Sequence, residues 1–240
     1  TLNDCINLPG YMPEKLKGDE VPAKTQWIGS LYDSSYYYNP YIEKYRKEGN
    51  IKFPFFLTPD KHYVGAAWYQ KEVNIPADWK GERILLFLER PHIETTVWVN
   101  GQKTGMQNSL CVPHQYDITR YVRPGKCTIT IRVDNRIKEI NVGPDSHSIT
   151  DQTQGNWNGI VGRICLQTTP KTYFDDIQIY PEPEQKLARV KVVIKGTGTA
   201  KVKLSAESFN TDKKHIVPAI QQEIKLNKGV TETEMVLPMG

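Results

Sequence analysis

Between Asp134 and Asn158 the chain carries Asn135, Arg136, His147, Asp151, Gln152, Asn156, Trp157 and Asn158 in a stretch with no regular periodicity. Amides and carboxylates pair with hydroxyl groups, and an aromatic face covers the apolar C–H side of a sugar ring. Loops this long inside a compact domain are usually functional or disordered, and a tryptophan set among amides argues for order. Asp151, Asn156, Trp157, Asn158 and His147 are therefore the candidate substrate-contacting residues. The alternative stands beside it: a structural loop whose Trp157 is buried between sheets.

Other residue types with chemical potential are less well assembled. Cysteines stand at 5, 111, 127 and 165 with no C-x-x-C spacing. Cys127 and Cys165 read as small core residues, Cys5 and Cys111 are unassigned, and the disulfide state stays open. Cys111 and His114 lie at a ligand-like spacing, but two ligands without a second pair do not make a metal site. His114 and His147 are exposed-loop candidates for hydroxyl contacts, although solitary histidines commonly serve local structure. The tyrosines of Ser34–Tyr38 suggest a sugar platform, against which stands the reading that they seal a long loop onto the core.

The elements that must position these residues are strands. From Val64 to Asn135 four strand-like runs follow closely, with no room for helices between them. Tyr69, Lys71, Val73 and Ile75 alternate with Trp68, Gln70, Glu72 and Asn74, the period of two of a half-buried strand. Ile84–Leu88 is apolar throughout, as in a strand covered on both faces. Thr95–Val99 runs into Asn100-Gly101, the dipeptide that best tolerates the positive φ angles of a tight hairpin. Cys127, Ile129, Ile131 and Val133 share one face of a further run after the Pro124-Gly125 turn. Val161–Leu166 and Tyr173–Tyr180 add two more. Earlier, Asn39 and Pro40 mark the start and Gly49 the end of a short helix over Tyr41–Glu48, packing Tyr41, Ile42 and Tyr45 inward. Leu8-Pro9-Gly10-Tyr11 has the look of a loop that places one aromatic.

Pro181-Glu182-Pro183-Glu184 reads as a stiff linker and divides the chain into domains of 1–180 and 181–240. Beyond it Ala188–Lys195, Lys201–Phe209, Ile220–Leu226 and Val230–Leu237 form four strands joined by Gly-Thr-Gly, Asn-Thr-Asp and Asn-Lys-Gly turns. An immunoglobulin-type sandwich needs about seven strands and roughly 100 residues, so this second domain is expected to be incomplete, with edges open to another chain. The 240 residues are 38% hydrophobic, with a net charge of +4, and their lysines are scattered along strands, not gathered into a nucleic-acid patch. No apolar run approaches the roughly 18 residues of a membrane-spanning helix. The start at Thr1, without methionine or signal peptide, is that expected of a processed or excised piece.

Several of these stretches recur together elsewhere. Gly65-Ala66-Ala67-Trp68-Tyr69, Leu86-Phe87-Leu88-Glu89-Arg90, Val97-Trp98-Val99-Asn100-Gly101 and Pro113-His114-Gln115-Tyr116-Asp117-Ile118-Thr119 come in that order. Ile131-Arg132-Val133-Asp134-Asn135 and Asn156-Trp157-Asn158-Gly159-Ile160 follow. Over residues 1–180 the chain resembles the N-terminal sugar-binding domain of family 2 glycoside hydrolases, the family of β-galactosidases, β-glucuronidases and β-mannosidases, and above all its members from gut Bacteroidetes. The resemblance implies an all-β fold: a galactose-binding-like jelly-roll β-sandwich followed by a truncated immunoglobulin-like β-sandwich. It also implies a catalytic (β/α)₈ barrel beyond Gly240, whose two glutamates perform retaining hydrolysis with carboxyl groups about 5–5.5 Å apart.

On that footing no residue here is catalytic. The first domain of the family lends an acidic or amide group to the active-site rim, and the matching positions lie between Asp151 and Asn158. Trp98 would fill the core, Asn100-Gly101 make the turn, and Asp117 satisfy backbone donors in its loop. No cofactor is expected, although jelly rolls of this kind sometimes hold calcium. The implied partner is a β-glycoside, met through the parent enzyme in a periplasmic or extracellular setting, with neither nucleic acid nor membrane involved. Two other readings remain, an independent carbohydrate-binding module and a β-edge protein-interaction scaffold.

Overall fold

The computed structural model describes residues 4–22, 25, 38–52, 60–110, 112–138 and 156–240, apart from the Lys228 side chain. The chain divides into two compact units, Thr1–Thr168 and Thr169–Gly240.

The first unit is a sandwich of two four-stranded sheets. One has the order β1 (Gly10–Tyr11), β8 (Gly159–Thr169), β3 (Arg83–His92) and β6 (His114–Asp117). The other has the order β2 (Ala66–Ile75), β7 (Gly125–Asp134), β4 (Glu94–Val99) and β5 (Gln102–Asn108). Eight strands in two layers, with every pair of sequence neighbours except β4 and β5 split between the sheets, is jelly-roll architecture. Alternation explains the core. Ala67, Tyr69 and Ile75 of β2 and Cys127, Ile129, Ile131 and Val133 of β7 turn inward with Val97 and Val99 of β4. Ile84, Leu86 and Leu88 of β3, Tyr116 of β6 and Ile160 of β8 meet them from the opposite sheet. Leu85 and Phe87 on the other face of β3 are also buried, as a wholly apolar run requires.

Local chemistry sets the turns. Asn100 and Gly101 take φ of 50° and 80°, the positive angles of the tight hairpin between β4 and β5. The Asn100 Oδ1 also accepts from Thr128 N at 2.9 Å, tying the hairpin to β7. Asp117 accepts from Thr119 N at 3.1 Å and from Arg83 Nε at 2.9 Å, the loop-binding role expected of it.

Four expectations for this unit are corrected. Tyr41–Glu48 is a 3-10 helix, Pro40–Arg46, in which Asn39 Oδ1 does cap Tyr41 N at 2.9 Å, but Tyr41 points to solvent. Trp98 is not core: Val97 and Val99 take the inner face, so the residue between them must face outward. His114 is not in an exposed loop but wholly buried on β6, its Nδ1 2.6 Å from Thr95 Oγ1. Cys165 is half-buried; Cys127 is buried, Cys5 exposed, and all three are free thiols.

The second unit is a three-stranded antiparallel sheet of order β11 (Ile216–Pro238), β10 (Leu187–Glu207) and β9 (Tyr173–Glu182). Two expectations change here. Tyr173–Glu182 belongs to this unit, paired with β10 from Lys195 to Leu187, so the division of the chain falls near residue 169 instead of 181. Pro183–Gln185 is a single 3-10 turn closing that hairpin, with Lys186 in the left-handed region at φ 51°. The four strands foreseen are two long ones. Gly-Thr-Gly and Asn-Lys-Gly lie opposite each other, where the register shifts between Gly196 and Gly198. Val190, Val192 and Ile194 lie before that shift and Val202 after it, yet they share one core with Ile224, Leu226 and Met235. A straight strand rising about 3.3 Å per residue would hold Val190 and Val202 far apart, so the ribbon folds back on itself at its glycines.

Candidate functional site

At one end of the sandwich β1, the end of β3, the end of β7 and the segment entering β8 converge. Gly159 makes this approach workable. A Cβ there would overlap the Gly10 carbonyl oxygen and the Tyr11 Cα, so only glycine lets β1 pair with β8. Met12 N then donates to Asn158 O at 2.7 Å. Tyr11, the aromatic that its loop was expected to place, lies with its ring centroid 5.9 Å from that of Trp157. His92 stacks on Trp157, with centroids 4.6 Å apart and planes 19° from parallel.

The amides beside Trp157 turn to the backbone. Asn156 Nδ2 donates to Asn135 O at 3.1 Å, which leaves Oδ1 to accept from His92 Nε2 at 3.0 Å. Burial pushes the His92 imidazole down to about 4, so it is neutral at physiological pH with its proton on Nε2. Asn158 Nδ2 donates to both Gly65 O at 2.8 Å and Val133 O at 3.1 Å. Asn135 gives Nδ2 to Tyr63 O at 2.7 Å and takes Gly65 N on Oδ1 at 2.8 Å. These side chains act as partners for a backbone that leaves the sheets here and would otherwise bury unpaired groups.

Of the candidate residues, the structure therefore brings Asn156, Trp157 and Asn158 together. The two asparagines are buried and Trp157 is half-buried between Tyr11 and His92. His147 and Asp151 lie outside the described residues, as does Cys111. His92 and Asn135 were given no role by sequence reasoning. A histidine closing an apolar strand, opposite a loop rich in amides, was the available signal for the first.

Next to this anchor lies a carboxylate pair. Glu94 and Asp134 both contact Lys138 Nζ, at 3.2 and 2.9 Å. Arg136 donates to Asp134 through Nε at 2.9 Å and through its terminal nitrogen at 2.6 Å, while Arg132 pairs with Glu94. The Arg136 hydrogen bond leads in holding Asp134 well below the usual carboxylate range, with Lys138 adding to it. A glycosidic acid catalyst needs the opposite, a carboxyl raised toward neutrality. This pair is built for cohesion. Among the described residues no group of three His, Cys, Asp or Glu side chains is placed to hold a metal ion.

Comparison with known proteins extends this picture. Residues 19–170, well over half of the chain, match the model of the glycosyl hydrolases family 2 sugar binding domain. The chain is 28% identical to human β-glucuronidase over 176 residues, covering 64% of this chain and 27% of that protein. Among solved structures, it superposes on a family 2 glycosyl hydrolase from Bacteroides cellulosilyticus with a TM-score of 0.56 at 21% identity, over 74% of this chain and 23% of the other. Bacteroides uniformis β-glucuronidase gives a TM-score of 0.58 at 19% identity, over 74% and 22%. The chain thus spans about a quarter of the length of the relatives it matches. The match, resting on the β2–β8 sandwich and reaching past the Asn156-Trp157-Asn158 anchor, shows that the chain belongs to glycosyl hydrolase family 2 through its sugar-binding domain.

Proposed function

We propose that this chain is a non-catalytic part of a retaining β-glycoside hydrolase of the β-glucuronidase or β-galactosidase kind, shaping the rim of an active site carried elsewhere in the parent enzyme. The first unit is its sugar-binding jelly roll and the second the opening strands of an immunoglobulin-like sandwich, in a protein that works outside the cytoplasm. The observation that carries the reading is the anchoring of residues 134–138 and 156–158 at one end of the sandwich. The first stretch leaves β7 through the Asp134–Arg136–Lys138 ion pairs, and the second returns through buried Asn156 and Asn158 with Trp157 wedged between Tyr11 and His92. These packed and ion-paired residues flank the stretch that contains Asp151 and His147, whose side-chain types suit hydrogen bonds to sugar hydroxyls. The test is turnover of nitrophenyl β-glucuronide, β-galactoside and β-mannoside by the pure chain. No release above buffer is expected, and sustained turnover abolished by inhibitors of retaining glycosidases overturns the proposal.

A second reading has its own support. Among the described residues β9 and β11 are each paired on one side only, and Phe174, Ile177 and Ile179 on β9 stand more than half exposed. Such an edge recruits another strand. On this reading the second unit self-associates, and sedimentation of the chain at increasing concentration decides it.

A further inference from the structure

We propose that the outer face of the β2-β7-β4-β5 sheet is a second glycan surface, one that holds a sugar chain bearing carboxylates across Trp68 and Trp98. It goes beyond the rim role and uses none of the rim residues.

The strand registers lay this face out in rows. Trp68, Arg132, Thr96 and Met106 form one, and Gln70, Thr130, Trp98 and Lys103 the next. The two indoles lean toward each other over β7, with centroids 5.1 Å apart and planes 31° from parallel. Trp68 remains 56% exposed, which is unusual for a residue that folding normally hides. A tryptophan pair held open on a rigid sheet costs little entropy to engage and offers the apolar slab on which the C–H face of a sugar packs.

Polar groups border the slab at the right places. Gln70 is exposed and donates through Nε2 to Thr130 Oγ1 at 3.0 Å, leaving its carbonyl oxygen for a hydroxyl. The charge balance selects the kind of sugar. In and beside the adjoining row Glu94 and Asp134 face Arg132, Arg136 and Lys138, which among the described residues leaves one positive charge over, and exposed Lys103 beside Trp98 adds another. A carboxylate-bearing glycan supplies the missing negative charge while its ring faces meet the indoles. A nucleic acid strand also stacks on aromatics and carries negative charge, so an oligonucleotide is the competing occupant that the test must separate. For a second copy of the chain the apolar patch, two indoles and Met106, is small beside the roughly 800 Å² per partner of a stable interface.

The test is calorimetry on the 240-residue chain with hyaluronan hexasaccharide, in which every second sugar is a uronate, against neutral cellohexaose and a dT oligonucleotide. Hyaluronan binding that weakens with salt, and about tenfold weaker binding (about 1.4 kcal/mol) in Trp68→Ala with melting unchanged, support the proposal. Lys103→Glu, an exposed change with no packing role, weakens hyaluronan binding and not cellohexaose binding. Silence with hyaluronan, equal affinity for cellohexaose, preference for the oligonucleotide, or a Trp68→Ala effect confined to dimer formation overturns it. Loss of binding in Trp157→Ala alone would assign the sugar to the rim and refute this surface without touching the rim proposal.

Discussion

Acid should loosen the anchor around Trp157 before it reaches the carboxylates, through His92. An unfolded histidine titrates near 6.5, whereas burial holds the folded His92 at about 4. Between these values the unfolded chain binds a proton that the folded chain refuses, so stability is complete above about 6.5 and falls as the pH drops toward 4. A shift of this size, at 1.36 kcal/mol per pH unit, corresponds to about 3 kcal/mol, a large part of the 5–15 kcal/mol that holds a typical domain folded. His114 is also pushed down by burial and contributes in the same direction, so the share of His92 must be read as a difference. His92→Gln keeps a donor for Asn156 Oδ1 and removes the titration. Urea unfolding followed by tryptophan fluorescence at about pH 7 and pH 4 should show wild type losing about 3 kcal/mol more than the variant over that range. Equal losses in the two proteins, or a His92 ring that titrates near 6.5 by NMR, would refute the reasoning.

Other outcomes follow from the same geometry. Gly159→Ala forces the backbones of β1 and β8 apart, and hydrogen exchange should show Met12 N and the Gly10–Tyr11 pairing lost at a cost of about 1–3 kcal/mol. Leu88→Ala, at a fully buried core position, lowers the stability of the first unit by about 2–5 kcal/mol in urea titrations. Asp134→Asn strands Arg136 and leaves Lys138 with Glu94 alone, and because both cations reach solvent the loss should be about 2 kcal/mol at neutral pH, vanishing below the range in which the wild-type carboxylate protonates. Ile177→Lys places a charge on the open β9 edge and should reduce any association of the chain in sedimentation.

The strands of the sandwich could be read in advance because each carries its own evidence. Alternation in β2 and β7, the unbroken apolar run of β3 and the Asn100-Gly101 turn are local signals that packing reinforces. Where two local signals met in space, reading failed. Gly-Thr-Gly and Asn-Lys-Gly each look like a turn, and only pairing across the ribbon turns them into one bulge. Pro181-Glu182-Pro183-Glu184 has linker composition, yet its first half extends an edge strand that needs no buried side chains and so shows little pattern. The family resemblance implies a core role for Trp98, although alternation with Val97 and Val99 already places it on the outer face. At the site, composition identified Asn156 and Asn158 as hydrogen-bonding residues but not their partners. An amide that serves a sugar and one that serves a carbonyl two strands away are the same letter, and only burial separates them.

One NMR titration bears most directly on the central claim, that this chain frames a sugar without transforming it. A methyl β-glucuronide added at millimolar concentration should move the Trp157 indole resonance while its own anomeric signal persists unchanged through days of incubation. Appearance of the free sugar's anomeric signals at a rate proportional to protein, and abolished by an inhibitor of retaining glycosidases, would contradict the account.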